Sequence, residues 1–220
     1  MASVSWFCEN HDLPRSINRF ANDAPKYHVQ SGKALSVLLT TLSGTLFVYQ
    51  GQETGMVNVP DARNISDYRD LNSIAYYNNA TLNGVSSSEA LANLALMARD
   101  NARTPFNWDG SGNAFSVNKT TWTSRANLDI NLADQRDDPK SEQKDSFVYG
   151  EFEFLDWESE HFLVYQKTTE SDKVVVFINL STEADKPPVA TPKNAELLVH
   201  THDDHSGAAF EPFEGRVYRL

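Results

Sequence analysis

The period of the apolar residues changes twice along this chain. Val4-Ser-Trp-Phe-Cys8 is a β-branched and aromatic run that predicts a short buried strand. Leu35, Leu38, Leu39 and Leu42 then recur at i, i+3, i+4 and i+7, which sets four leucines on one face of a helix. Ser43-Gly44 stops that helix, and Thr45-Leu-Phe-Val-Tyr-Gln50 reads as a second buried strand. Strand, helix, strand predicts a βαβ unit whose strands pair in parallel. From Gln52 to about Ala80 the chain is polar, Asn-rich and reads as loop. Ser86-Ser-Ser-Glu89 offers N-caps for a second amphipathic helix through Leu91, Leu94, Ala95 and Ala98 to about Arg99, with Thr104-Pro105 expected to end it. Residues 109–146 read as linker. Beyond Asp145, Phe147–Leu155, His161–Lys167, Lys173–Leu180, Ala195–His200 and Arg216–Leu220 alternate with turn-forming residues. They predict a small antiparallel sheet or sandwich resting on the first part of the chain.

Composition narrows the partners. Hydrophobic residues make up 40% of the 220 and charged ones 22%, which is a globular balance. No apolar run approaches the roughly 18 residues of a membrane span, so no membrane partner is expected. Nineteen Lys and Arg against thirty Asp and Glu leave a net charge of −11, which works against nucleic acid. Cys8 is the single cysteine and cannot form an internal disulfide; it reads as a small buried apolar residue. The first residues carry no basic stretch and no long apolar run, so no signal peptide is read there and a cytoplasmic location is expected. On that reading the sequons at Asn64, Asn79, Asn118 and Asn179 carry little weight.

Three places bear residues suited to chemistry. Asn10-His11-Asp12 follows the first predicted strand, and strand ends of parallel α/β sheets are where ligands bind. A His-Asp pair there can hydrogen-bond vicinal hydroxyls or set a carboxylate beside a developing cation, or it can simply close a turn. Arg99 and Arg103 lie at a helix end, where a guanidinium can clamp a hydroxyl or carboxylate, or oppose the helix dipole. His200-Thr-His202-Asp203-Asp204-His205 has the H-x-H-x-D-H spacing of some metal-dependent hydrolases. Only fifteen residues follow it, too few for the remaining ligands, so a solvated turn accounts for it and no metal is expected.

Five blocks together resemble a known family. Glu9-Asn-His-Asp-Leu-Pro-Arg15 resembles a signature block of the α-amylase superfamily, glycoside hydrolase family 13. Leu42-Ser-Gly-Thr-Leu-Phe-Val-Tyr-Gln-Gly-Gln-Glu-Thr-Gly-Met56 and Arg99-Asp-Asn-Ala-Arg-Thr-Pro-Phe-Asn-Trp108 resemble its α-glucosidase branch, of the maltase and oligo-1,6-glucosidase type. Phe147-Val-Tyr-Gly-Glu-Phe152 and Pro212-Phe-Glu-Gly-Arg-Val-Tyr-Arg-Leu220 resemble the C-terminal β domain of the same enzymes.

The resemblance implies an α/β fold: the last two strands of a (β/α)₈ barrel with their helices, then a small antiparallel β domain. It divides the chain into residues 1–144, a barrel remnant, and 145–220, the β domain. It gives Asp12 the role of transition-state stabiliser and gives His11, Arg99 and Arg15 substrate-binding roles, with Arg103 as a further candidate. Maltose- or isomaltose-like oligosaccharides are the implied partners; no cofactor is implied and no oligomeric state follows. In the family, the nucleophile and the acid/base come from the fourth and fifth strands, to which nothing here corresponds. A long amphipathic helix is replaced by Glu142-Gln143, and Phe106-Asn107 stands where Met-Gln is usual. The expectation is therefore a C-terminal fragment with an internal deletion, inactive alone, or alternatively a non-catalytic sugar-binding module. Two strands cannot close a barrel. The leucines that would face the missing part are expected to lie exposed, and the β domain to lack a helix to pack on.

Overall fold

The computed structural model describes residues 4–59, 63–111, 127, 129–135 and 150–220. They fall into two compact units that alternate along the chain. One comprises described residues within Met1–Phe7, Phe20–Phe47 and Pro139–Leu220, the other those within Cys8–Arg19 and Val48–Asp138. The boundary expected at 144/145, the Glu142-Gln143 junction, most of the linker and the Asn118 sequon lie outside the described residues.

In the first unit the βαβ segment forms as predicted in order and direction. Strand β1 (Ser5–Trp6) pairs in parallel with β2 (Thr45–Leu46). Helix α2 (His28–Thr41) connects them; the short α1 (Ser16–Phe20), earlier in the chain, belongs to the second unit except for Phe20. Gly44 is required where it stands. Its φ is +124° and an added Cβ would lie 2.2 Å from the Val4 carbonyl oxygen, so any side chain would push β2 off β1. The strands are two residues long rather than five or six, and Val4, Phe7, Phe47 and Val48 are exposed. A ladder extends only as far as both chains pair, so the apolar runs at 4–8 and 45–50 outlast their hydrogen bonding. These exposed residues flank the paired positions of the two strands, and α2 adds Val29 to them. The helix leucines, expected to be exposed, are not: Leu35 and Leu39 are buried and Leu38 and Leu42 half-buried.

All five later strands are present: β3 (Glu151–Asp156), β4 (Phe162–Thr168), β5 (Lys173–Asn179), β6 (Glu196–His200) and β7 (Gly215–Arg219), antiparallel in the order β3-β4-β5-β7-β6. The part of the first predicted strand before Gly150 lies outside the described residues. Strand β5 is central and buried on both faces, so it reads as a continuous apolar run instead of alternating. Val174, Val176 and Ile178 join Tyr165, Val217 and Phe213 against Ala34 and Val37 of α2. Val175 and Phe177 face the other way, onto Phe162, Val164 and Phe210. The β domain therefore does have a helix to pack on, and it is α2. The Tyr165 hydroxyl meets the Thr41 hydroxyl at the end of that helix. Asn179 is fully buried with its amide donating to Glu183 and Glu211 carbonyls, so its sequon is closed to modification in the folded chain.

The second unit contains a helix where loop was expected. Helix α3 (Leu71–Leu82) starts at Asp70, whose carboxylate accepts from Asn72 N at 2.7 Å. Helix α4 (Ser87–Met97) follows, with Ser86 as its N-cap, accepting from Glu89 N as predicted. The two pack through Tyr68, Tyr77, Leu91, Leu94 and Ala98. Helix α4 ends well before Pro105, because side chains take over its last carbonyls. Asn58 Nδ2 donates to the Ala95 and Leu96 carbonyls and Asn101 Nδ2 to Ala95 O, while Ala98 turns extended into a 3₁₀ turn at Arg99–Asn101.

Candidate active site

The loop carrying His11 and Asp12 is held from both ends. Glu9 is buried and accepts from Ser16 N at 2.8 Å, Ser16 Oγ at 2.7 Å and Arg15 Nη1 at 3.0 Å. Arg15 N donates to Asn58 Oδ1 at 2.9 Å, and that asparagine is itself fixed on the end of α4. Between these anchors Asn10 Oδ1 accepts from Asp12 N at 2.8 Å, a local turn that carries the Asp12 side chain outward.

A second clamp sets the arginines. Asp100 is buried and accepts from Arg69 N, Asp70 N and Ser73 Oγ, which ties the 3₁₀ turn to the start of α3. Arg103 then spans three acceptors. Its Nη1 reaches Asp70 Oδ2 at 2.8 Å, its Nη2 reaches Asp12 Oδ1 at 2.9 Å and its Nε reaches the His11 carbonyl at 2.9 Å. Arg99 Nη1 lies 3.5 Å from Asp12 Oδ1 and 3.9 Å from Asp70 Oδ2, and His11 Nε2 lies 3.5 Å from Asp12 Oδ2. One oxygen of Asp12 thus faces two guanidinium groups and the other faces an imidazole. The Asp12 side chain is 44% exposed and that of Asp70 only 6%. Asp12 is open to a ligand; Asp70 is a support.

His11, Asp12, Arg99 and Arg103, picked out from sequence, therefore meet in one cluster. Arg15 does not join them. Its side chain is 1% exposed, and Nη1 is taken by Glu9 and by the Gln50 carbonyl at 2.8 Å. The substrate-binding role expected for Arg15 is corrected to a structural one, because a guanidinium so enclosed has no face for a sugar. Asp70 was missed, and its signal was the N-cap pattern, an aspartate just ahead of a helix. Cys8 is half-buried rather than buried, and burial, then the Glu9 charge, pushes its thiol up, which makes it a poor nucleophile. At 200–205 the His200 and His205 rings stack at 4.1 Å, His200 Nδ1 is paired with the His202 carbonyl and Asp204 accepts from Ser206. Among the described residues no three His, Cys, Asp or Glu side chains are grouped to hold a metal.

A family model described as the α-amylase catalytic domain matches residues 1–149. The chain belongs to the α-amylase family. Among curated α-amylase-family proteins it is 37% identical to an α-glucosidase of Candida albicans over 236 residues, covering 96% of this chain and 41% of that protein. It is 31% identical to an oligo-1,6-glucosidase of Parageobacillus thermoglucosidasius, covering 98% and 42%. It superposes on an isomaltulose synthase mutant of Erwinia rhapontici NX5, solved in complex with its natural substrate sucrose, with a TM-score of 0.86 at 29% identity, covering 98% and 42%. The chain spans about two fifths of the length of the curated relatives it matches. Its fold is accordingly part of an α-amylase-family barrel together with a small antiparallel sheet.

Proposed function

We propose that His11, Asp12, Arg99 and Arg103 form the glucose-holding part of an α-glucosidase active site. The substrate would be the terminal α-linked glucose of a maltose- or isomaltose-like oligosaccharide. The observation that carries the reading is the setting of Asp12: a solvent-open carboxylate with one oxygen facing the anchored Arg103 and Arg99 and the other 3.5 Å from the exposed His11 imidazole. Such a carboxylate accepts two sugar hydroxyls. Arg99 and His11 donate to the oxygens of neighbouring hydroxyls. If a glycosidic bond is broken beside it, the same charge stabilises the positive anomeric centre of the oxocarbenium-like state, with no reorganisation at that moment.

Retaining hydrolysis also needs a nucleophile and an acid/base about 5 Å apart. The resemblance assigns neither to a residue of this sequence, and Asp12 is given no nucleophilic role. These 220 residues are therefore expected to bind sugar without turning it over. Saturation-transfer NMR with maltose and isomaltose on the folded chain tests this. The expected result is a saturable signal at millimolar sugar, lost in Asp12→Asn. A signal equal in both proteins, or none in a chain shown by near-UV circular dichroism to be folded, overturns the reading.

A further inference from the structure

Arg63 is a buried cation with little to answer its charge. It is 7% exposed and lies just ahead of the 3₁₀ turn Ile65–Asp67. Its guanidinium lies over the Tyr68 ring, 4.3 Å from the centroid, and Nη2 donates to Asn101 Oδ1. Nε and Nη1 are buried as well, yet neither has a hydrogen-bond partner among the described residues. Taking a guanidinium out of water is unfavourable unless its donors are paired, and folded chains leave few such groups unpaired. An apolar side chain of similar length would fill the same space without that penalty. Stability alone therefore does not account for an arginine at this position.

Its two contacts lie on the two segments that set the partners of Asp12. Tyr68 leads directly into Arg69 and Asp70, whose N–H groups donate to Asp100. Asn101 is fully buried at the end of the 3₁₀ turn Arg99–Asn101, and its Nδ2 donates to the Ala95 carbonyl at 2.8 Å. That turn begins with Arg99, whose Nη1 lies 3.5 Å from Asp12 Oδ1. A planar guanidinium can stack on a ring with its face while it donates from its edge, and neither lysine nor methionine can do both. Arg63 thus joins the start of α3 to the turn that carries Arg99. We propose that Arg63 is a positioning residue that fixes the reach of Arg99 to Asp12 at the expense of stability. The proposal rests on the glucose-holding reading above, and the buried Arg63 is given no sugar contact of its own.

The test combines urea melts with NMR titrations of maltose on the intact chain, for wild type, Arg63→Met, Arg99→Ala and the double variant. A residue kept for the fold would lower the urea midpoint when removed. The expected midpoint of Arg63→Met instead equals or exceeds that of wild type, because relief of the unpaired guanidinium offsets the orphaned Asn101 Oδ1. Maltose affinity should fall about fivefold in the same variant. Added to Arg99→Ala, Arg63→Met should bring no further loss of affinity. The proposal is overturned, and the glucose reading stands, if wild type binds maltose and Arg63→Met binds it as tightly, fails to fold, or weakens binding equally with and without Arg99. If folded wild type does not bind maltose, the glucose reading fails and the Arg63 proposal falls with it.

Discussion

Arg103 Nη2 donates to Asp12 Oδ1 at 2.9 Å, although the two residues are 91 positions apart. The same guanidinium is anchored at 2.8 Å on Asp70, the N-cap of α3. The orientation of the exposed carboxylate is thereby referred back to a buried helix start, which makes Arg103 and Asp70 positioning residues for Asp12.

Arg103→Lys should keep a positive charge but lose the fork that spans three acceptors. Because the Arg103–Asp12 pair is partly exposed, stability should change by less than about 1 kcal/mol, while maltose affinity falls several-fold. Asp70→Ala removes the cap as well and should cost roughly 1–3 kcal/mol. Urea melts and sugar titrations on the two variants separate these effects. Equal losses of stability in both would contradict the division of roles.

Glu9 and Arg15 form a buried ion pair whose side chains are each 1% exposed. Removing one partner strands a charge, so Arg15→Met should destabilise by about 3–5 kcal/mol. At a temperature where the variant is still folded, its sugar affinity should match wild type. A selective loss of binding in a stable Arg15→Met protein would return Arg15 to the ligand contacts.

Thr41 and Tyr165 join α2 to the sheet through their hydroxyls. Thr41→Val leaves the buried phenol without that partner and should cost about 1–3 kcal/mol. Adding Tyr165→Phe removes the orphaned group, and the double variant should be more stable than Thr41→Val alone. Additive losses in the double-mutant cycle would mean that the bond carries no coupling.

Alkaline pH should act on the same sheet in two directions. Lys167 is fully buried on β4, and burial lowers its ammonium pKa to about 8. An unfolded lysine holds its proton to about pH 10.4, so between about pH 8 and 10.4 the unfolded chain binds more protons and stability rises with pH. Burial pushes the Tyr165 phenol up, so its contribution is complete below about pH 10, the unfolded value, and is lost above it. The urea midpoint should climb from pH 7.5 to 9.5, by an amount on the order of 1–2 kcal/mol, and fall beyond about pH 10.5. A midpoint that declines steadily from pH 7.5 is the contrary result.

What the sequence made legible follows from how local each signal is. The five strands of the antiparallel sheet were readable because each short apolar or alternating run is bounded by turn residues. Strand β5 gave its central place away by having no polar face. Helix α3 was not readable from periodicity: Ser73 is its only fully buried residue, and its Asn-rich surface resembles loop. Only Asp70 marked its start. The His11-Asp12 pair was legible as a motif, but its supports were not, since the Asp12–Arg103–Asp70 chain joins distant segments. Arg15 misled because it belongs to the same motif as Asp12, yet faces inward onto Glu9.

The most direct test of the account is release of p-nitrophenol from p-nitrophenyl α-glucoside by the folded chain, with Asp12→Asn alongside. The account predicts no release from either protein, while the wild type alone binds the glucoside. Release by wild type that disappears in Asp12→Asn would contradict it, because these residues would then supply a nucleophile and an acid/base of their own.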